Sequence, residues 1–307
     1  MPSVDAFDVP YRGRFAPSPT GPLHFGSLVA AVGSYLEART AGGTWLLRIE
    51  DVDAPRIVKG AAEAMLRTLE RLGFAWDGAV EYQSRRRSHY LAAFERLKLA
   101  GRVFACACSR REVADSGLGP DGAPRYPGTC RRGLAPGRQP RAWRLQVEPG
   151  QVCFEDGLQG YICQDLAAEV GDFVVLRTDG CFAYQLAVVV DDAAQGVTHV
   201  VRGADLIDST PRQIFLQQQL GLPRPAYLHL PAAVGAAGEK LSKQTRAAAI
   251  DGQRPQAALL DALIFLGQRP PGELAKSGVD EIWRWAMANW DRGRLPRCRF
   301  ANAPAGY

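Results

Sequence analysis

The chain has 307 residues, of which 47% are hydrophobic and 22% charged, with a formal net charge of +5. These values exclude a disordered or low-complexity chain, and the length leaves room for two domains or one large one with an insertion. The opening "MPSVDAFDVPYRGRF" has acidic residues and no apolar core, which excludes a secretory signal, and no apolar run could span a bilayer, so a cytoplasmic protein without membrane contact is expected.

The first informative stretch is "RFAPSPTGPLHFGS", residues 14–27. Pro17, Pro19, Gly21 and Pro22 force an irregular path. His24 and Gly26 then fall just before a helical pattern, "SLVAAVGSYLEART" (27–40). An imidazole and closely approachable backbone at a helix N-terminus make a natural anion site. A Pro-rich turn with a stacking histidine is the alternative. Next, "TWLLRIED" (44–51) reads as a buried strand with a carboxylate pair at its C-terminal end. Residues 56–73 and 84–101 read as amphipathic helices. This alternation predicts a parallel sheet with helices on its faces.

The composition changes from Gly101 to about Gly171. Gly, Pro, Arg and Cys dominate, with short alternating runs such as "AWRLQV" and "QVCFED". A small β-rich insertion is expected there. Afterwards "DFVVLR", "FAYQLAVVVDD" and "VTHVVRG" read as strands, and "STPRQIFLQQQLG" (209–221) as a capped helix with Pro near its first position. Two helical patterns, 255–267 and 279–289, complete the chain. The expected organisation is an α/β domain split over 1–100 and 170–250, an Arg/Cys-rich insertion at 101–169, and a helical segment at 251–307.

The sequence contains neither a G-x-x-x-x-G-K-[ST] loop nor a G-x-G-x-x-G fingerprint. If the chain binds a nucleotide it does so by other means, and "GEKLSKQT" (238–245) is the candidate for a second phosphate-facing element. Lysine is scarce: Lys59, Lys98, Lys240, Lys243 and Lys276 are the whole set. Two of them sit three residues apart here, and an exposed loop with two solvated lysines is the alternative reading. Lysine is a mobile point charge suited to following a phosphate whose charge changes during reaction, whereas arginine suits static bidentate recognition. The arginines instead crowd the insertion as Arg110, Arg111, Arg125, Arg131, Arg132, Arg138, Arg141 and Arg144, either as a solvated surface or as a grip on nucleic-acid phosphates.

Seven cysteines without an export signal point to free thiols or a metal site rather than a disulfide framework. Cys106, Cys108 and Cys130 offer three thiolates. His89, Cys153 and Tyr126 are conceivable fourth ligands, and bond chemistry alone favours the histidine or the cysteine. Cys153, Cys163, Cys181 and Cys298 have no partner at useful spacing and are expected in the core.

Taken together, His24-Phe25-Gly26-Ser27 and Lys240-Leu241-Ser242-Lys243-Gln244 resemble the two signature motifs of class I aminoacyl-tRNA synthetases, HIGH and KMSKS. "LLRIEDVD", "VVVDDAAQGVTHVVRGADLIDSTPRQ" and "YLHLP" resemble the glutamyl branch. The likeness spans roughly residues 14–245. Two positions depart from it: the first motif ends Gly-Ser rather than Gly-His, and the second ends in Gln rather than Ser.

The resemblance implies a Rossmann-like, HUP-type catalytic domain that activates L-glutamate with ATP and Mg²⁺. It implies catalytic roles for His24, Lys240 and Lys243, with Pro17, Gly26 and Ser27 also around ATP. Arg14, Phe15, Ala16, Pro17, Ser18, Glu50, Tyr184 and Arg202 would hold glutamate. In that picture the arginines take carboxylates, Glu50 takes the ammonium, Tyr184 adds a phenol and wall, and Ala16 and Ser18 shape the floor. It favours Tyr126 as the fourth ligand of a structural Zn²⁺ with Cys106, Cys108 and Cys130.

Members that charge a tRNA 3′ end carry a large anticodon-binding region after the lysine loop. Here only residues 246–307 follow. The tail-less form of this core implies a monomer that glutamylates queuosine in the anticodon of tRNA(Asp). A truncated enzyme charging a 3′ end is the alternative.

Overall fold

The computed structural model describes residues 10–114, 116–235, 238–239, 249–250 and 254–307. A first β–α–β unit runs through β1 (Arg12–Phe15), α1 (Phe25–Thr40) and β2 (Thr44–Ile49), with β1 and β2 parallel. Helix α1 is apolar on most of its surface because it is buried on several sides. At Gly33 the helix packs closely on the Leu230 side chain, which a Cβ there would have to displace. Helix α2 (Ala61–Arg71) buries Ala61, Met65 and Leu69 at i, i+4 spacing. Strand β3 (Glu81–Tyr82) pairs parallel with β2, and α3 (Arg87–Leu99) follows. Both helices lie inside the spans expected for them.

The middle of the chain contains β4 (Val103–Cys106), α4 (Arg110–Ala114), β5 (Ala142–Leu145), β6 (Gln151–Asp156), β7 (Gly160–Asp165), α5 (Leu166–Glu169) and β8 (Phe173–Leu176). Strands β4, β5 and β8 form a small antiparallel sheet. The β6–β7 hairpin behaves differently. It pairs Cys153 with Cys163 in register, and a disulfide joins them. The expectation that these two thiols are unpartnered core residues is therefore corrected. Spacing along the sequence hid the pair, because the hairpin turn brings residues ten apart directly opposite one another. Cys181 and Cys298 are free and only half-buried, which also corrects their core placement.

A second correction concerns residues 182–192. They do not form a strand: α6 spans Tyr184–Ala194. Consecutive valines imitate a buried strand, but the run is apolar because the helix itself is buried. Then come β9 (His199–Gly203), α7 (Thr210–Leu220) with Pro211 in its first turn, β10 (Ala226–Leu230) and β11 (Ala232–Val234). After them α8 (Pro255–Phe265) and α9 (Val279–Asn289) pack on α1, and β12 (Phe300–Asn302) pairs parallel with β11.

One sheet runs β3–β2–β1 and another runs β9–β10–β6–β7. They meet edge to edge, for Thr198 donates its backbone N–H to Arg12 O at 2.9 Å and its side-chain Oγ1 accepts from Arg12 N at 2.8 Å. Strand order thus reverses between β1 and β9. In an open parallel sheet, the C-terminal ends of strands at such a reversal border a crevice suited to ligands. Strands β6 and β7, from the Arg/Cys-rich stretch, lie in the same sheet as β9 and β10.

Candidate active site and metal centre

A cleft of about 810 Å³ opens at that reversal, within the size range of small-molecule sites. Eleven of the expected residues line it: Arg14, Phe15, Ala16, Pro17, Ser18, His24, Gly26, Ser27, Glu50, Tyr184 and Arg202. They come from the ends of β1, β2 and β9 and the starts of α1 and α6. Lys240 and Lys243 lie outside the described residues. His24 caps α1: its Nδ1 accepts from Ser27 N at 3.3 Å and its Nε2 lies 3.1 Å from Ser27 Oγ. A Cβ on Gly26 would stand 3.3 Å from the His24 ring, so glycine keeps the backbone open beside it. Pro17 O accepts from Glu50 N at 3.0 Å, which ties the irregular 16–20 path to the end of β2.

The charged residues are fixed by buried pairing. Arg14 Nε reaches Asp192 Oδ1 at 3.3 Å, and the same oxygen takes Arg48 Nη2 at 2.8 Å. Arg48 also contacts Glu50 at 3.4 Å and Gln195 at 2.5 Å. Burial alone would raise the Asp192 carboxyl, but Arg14 and Arg48 hold it below the usual range. For Glu50 burial wins and pushes the carboxyl up, against the pull of Arg48 and Arg14. Asp191, next along α6, gathers Gln83, Arg86 and Tyr90 at 2.6–2.8 Å. Arg202 donates to Tyr184 Oη at 3.3 Å, Thr210 Oγ1 at 2.9 Å and His229 Nε2 at 3.1 Å. Burial raises the Tyr184 phenol, so it stays protonated. Two anchored guanidinium groups and one carboxylate therefore face a single cleft, a set that suits a zwitterion with an extra carboxylate.

The second site lies at the end of β4. The Cys106, Cys108 and Cys130 sulfurs all fall within 4.8 Å of one another, and Cys108 and Cys130 are 3.6 Å apart. The Tyr126 hydroxyl is 3.4 Å from Cys106 Sγ and 3.9 Å from Cys108 Sγ. Tetrahedral zinc with bonds near 2.3 Å has edges of about 3.8 Å, so these four donors fit such an ion. Of the other candidates, Cys153 is consumed in its disulfide. His89 is exposed and its ring contacts Ser88. Arg144 stacks over Tyr126 at 3.8 Å and donates to Cys106 Sγ at 3.3 Å. Burial opposes ionisation of Cys106, yet its hydrogen bonds with the Tyr126 hydroxyl and the Arg144 guanidinium bring its pKa down. Burial pushes Cys108 up to about 11. A bound cation would reverse that second shift.

Residues 10–276 match the model of the family "tRNA synthetases class I (E and Q), catalytic domain". The chain belongs to this family. It is similar to the protein named glutamyl-Q tRNA(Asp) synthetase of Aromatoleum aromaticum, with 60% identity over 99% of this chain and 96% of the relative. The protein of the same name from Dechloromonas aromatica is 60% identical over 96% of this chain and 99% of that one. A solved glutamate-tRNA synthetase from Elizabethkingia anophelis shares the fold, with a TM-score of 0.79 and 24% identity, covering 97% of this chain and 68% of that one. No helix among the described residues is long and apolar enough to cross a membrane.

Sequence reasoning missed several residues that this class I synthetase fold brings to the cleft. Arg56 and Asp205 line it, and Asp192, Arg48, Thr210 and His229 hold its arginines. The adjacent "DD" at 191–192 was the one available signal. Two carboxylates in an otherwise apolar run need buried cations as partners.

Proposed function

We propose that this class I synthetase activates L-glutamate with ATP and transfers the glutamyl group to queuosine in the anticodon of tRNA(Asp). The observation that carries this reading is 60% identity, over nearly the full length of both chains, to relatives named for that reaction. The cleft chemistry agrees, because Arg14 and Arg202 offer two sites for carboxylates and Glu50 one for an ammonium.

In the first step an α-carboxylate oxygen of glutamate attacks the α-phosphorus of ATP. The bond to pyrophosphate breaks and pyrophosphate leaves with the electron pair. Charge grows on phosphate oxygens, so positioning and electrostatics dominate. His24 and the first N–H groups of α1 would hold the triphosphate, with Pro17, Gly26 and Ser27 around it. Lys240 and Lys243 would bear on the leaving pyrophosphate. Mg²⁺ would arrive with ATP. In the second step a queuosine hydroxyl attacks the adenylate carbonyl, an ester forms, AMP leaves and the hydroxyl proton is released.

Cys106, Cys108, Tyr126 and Cys130 would hold one structural Zn²⁺. Exposed Arg110, Arg111, Arg132 and Arg141 would take tRNA phosphates, and a cytoplasmic enzyme working beside its tRNA is part of this reading. The test is glutamate transfer to tRNA(Asp) with and without queuosine. Transfer is expected only to the queuosine form. Equal transfer to both would overturn the acceptor.

A further inference from the structure

Beneath the cleft, Asp156, His229 and Arg202 form a relay from β6 through β10 to β9. All three are buried, with exposures of 2%, 0% and 5%. Asp156 Oδ2 lies 2.6 Å from His229 Nδ1, and Arg202 Nε lies 3.1 Å from His229 Nε2. A guanidinium only donates, so Nε2 must accept and the ring proton must sit on Nδ1. The Thr210 hydroxyl, 3.2 Å from the same Nε2, is compatible with this tautomer. Asp156 cannot easily turn away. Its other oxygen accepts from Leu158 N, Gln159 N and His229 N at 2.9–3.1 Å. Burial pushes the His229 pKa down to about 4, with Asp156 opposing, so the ring is neutral near pH 7.

We propose that Asp156 and His229 are positioning residues: the carboxylate selects the histidine tautomer, and that tautomer fixes Arg202 in the orientation that receives a glutamate carboxylate. This rests on the reading of Arg202 as a glutamate ligand. Neither residue reaches the cleft lining, so both act only through Arg202.

The decisive variant is Asp156→Asn. Three backbone N–H donors hold the amide oxygen in the Oδ1 place, which sets the amide NH₂ against Nδ1. The ring must then carry its proton on Nε2, facing another N–H of Arg202. ATP–pyrophosphate exchange, with and without tRNA, should show the glutamate KM raised by about tenfold or more, the order lost with one charge-assisted hydrogen bond. The ATP KM should hold within about twofold. Nitrogen-15 spectra of the labelled histidines should show the Nδ1–H form in the wild type and the Nε2–H form in the variant.

An Nε2–H form in the wild type, or a switched tautomer with unchanged glutamate KM, overturns the relay. Arg202→Ala separates the two ideas: no change in glutamate KM there removes Arg202 itself from the glutamate site. A second pair avoids the Asp156 turn. His229→Gln keeps an acceptor near Nε2 and should retain more glutamate affinity than His229→Asn. Equal losses in that pair also overturn the relay.

Discussion

The ring of Tyr307 lies 4.3 Å from that of Phe25, and its hydroxyl bonds Asp261 on α8 at 3.0 Å. Phe25 opens α1, immediately after His24, and its ring also meets Phe265 edge-on at 5.5 Å. The last segment of the chain thus braces the start of the helix that borders the cleft. Strand β12 extends that support to β11, whose Ala232 and Ala233 line the cleft.

Tyr307→Ala should cost about 1–2 kcal/mol through lost ring packing. It should also raise the ATP KM several-fold while sparing the glutamate KM. Tyr307→Phe keeps the ring and should restore most of the loss. Chemical denaturation together with exchange kinetics checks both effects. An ATP KM equal to wild type in the alanine variant would separate the tail from the nucleotide site.

Asp192 joins Arg14 and Arg48 on one oxygen, deep in the molecule. Asp192→Ala leaves two buried cations short of a partner. The expected destabilisation is about 3–5 kcal/mol, the order for breaking a buried pair from one side. Glutamate affinity should fall as well, because Arg14 loses its anchor. Urea unfolding measures the first and exchange kinetics the second. A loss of under about 1 kcal/mol would mean that Arg48 keeps enough support from Glu50 and Gln195.

The buried histidine predicts a direction for pH dependence. Unfolded, His229 takes a proton near the ordinary value of about 6.5. Folded, it resists protonation until about 4. Between these limits the unfolded chain binds more protons, so stability falls as pH drops through the window, by roughly 3 kcal/mol in all. Above it this residue adds no slope. Urea midpoints measured from about pH 7.5 to about pH 4.5 should fall less steeply for His229→Gln than for the wild type.

Near the three clustered cysteines the local core is small. Cys106, Ala107, Val113, Tyr126 and Cys130 are its only fully buried members among the described residues. Five residues bury too little apolar surface to order the exposed loops around them, so a metal would supply the missing stability. Freshly purified protein should contain one zinc ion per chain, and Cys108→Ser should contain less. Chelation should lower the melting temperature. Elemental analysis and calorimetry read these outcomes, and metal-free wild type of full stability would refute the site.

Legibility in the sequence followed the range of the interactions. The β1–α1 corner was readable because Pro17, Pro19, Gly21, Pro22 and His24 are local signals that punctuate an apolar pattern. The eleven cleft residues could be named because they stand in motifs that resemble those of class I synthetases; strand and helix patterns alone pointed only to the turn before α1 and the end of β2. Helix α6 was not readable, for its valines satisfy a strand pattern as well as a buried helix. The Cys153–Cys163 pair depends on hairpin register, and the Asp156–His229–Arg202 relay on three strands of a sheet. Neither leaves a spacing that a single sequence discloses.

Lys243→Ala tests the activation step directly. A lysine bearing on the leaving pyrophosphate stabilises charge that grows only in the transition state. Its loss should slow ATP–pyrophosphate exchange by about a hundredfold or more, roughly 3 kcal/mol, with little change in glutamate KM. Lys243→Arg keeps the charge but replaces a compact mobile ammonium with a wider, planar group, so it should recover only part of the rate. If exchange is unchanged in the alanine variant, Lys243 has no part in adenylate formation. If both variants lose rate equally, geometry rather than charge governs the step.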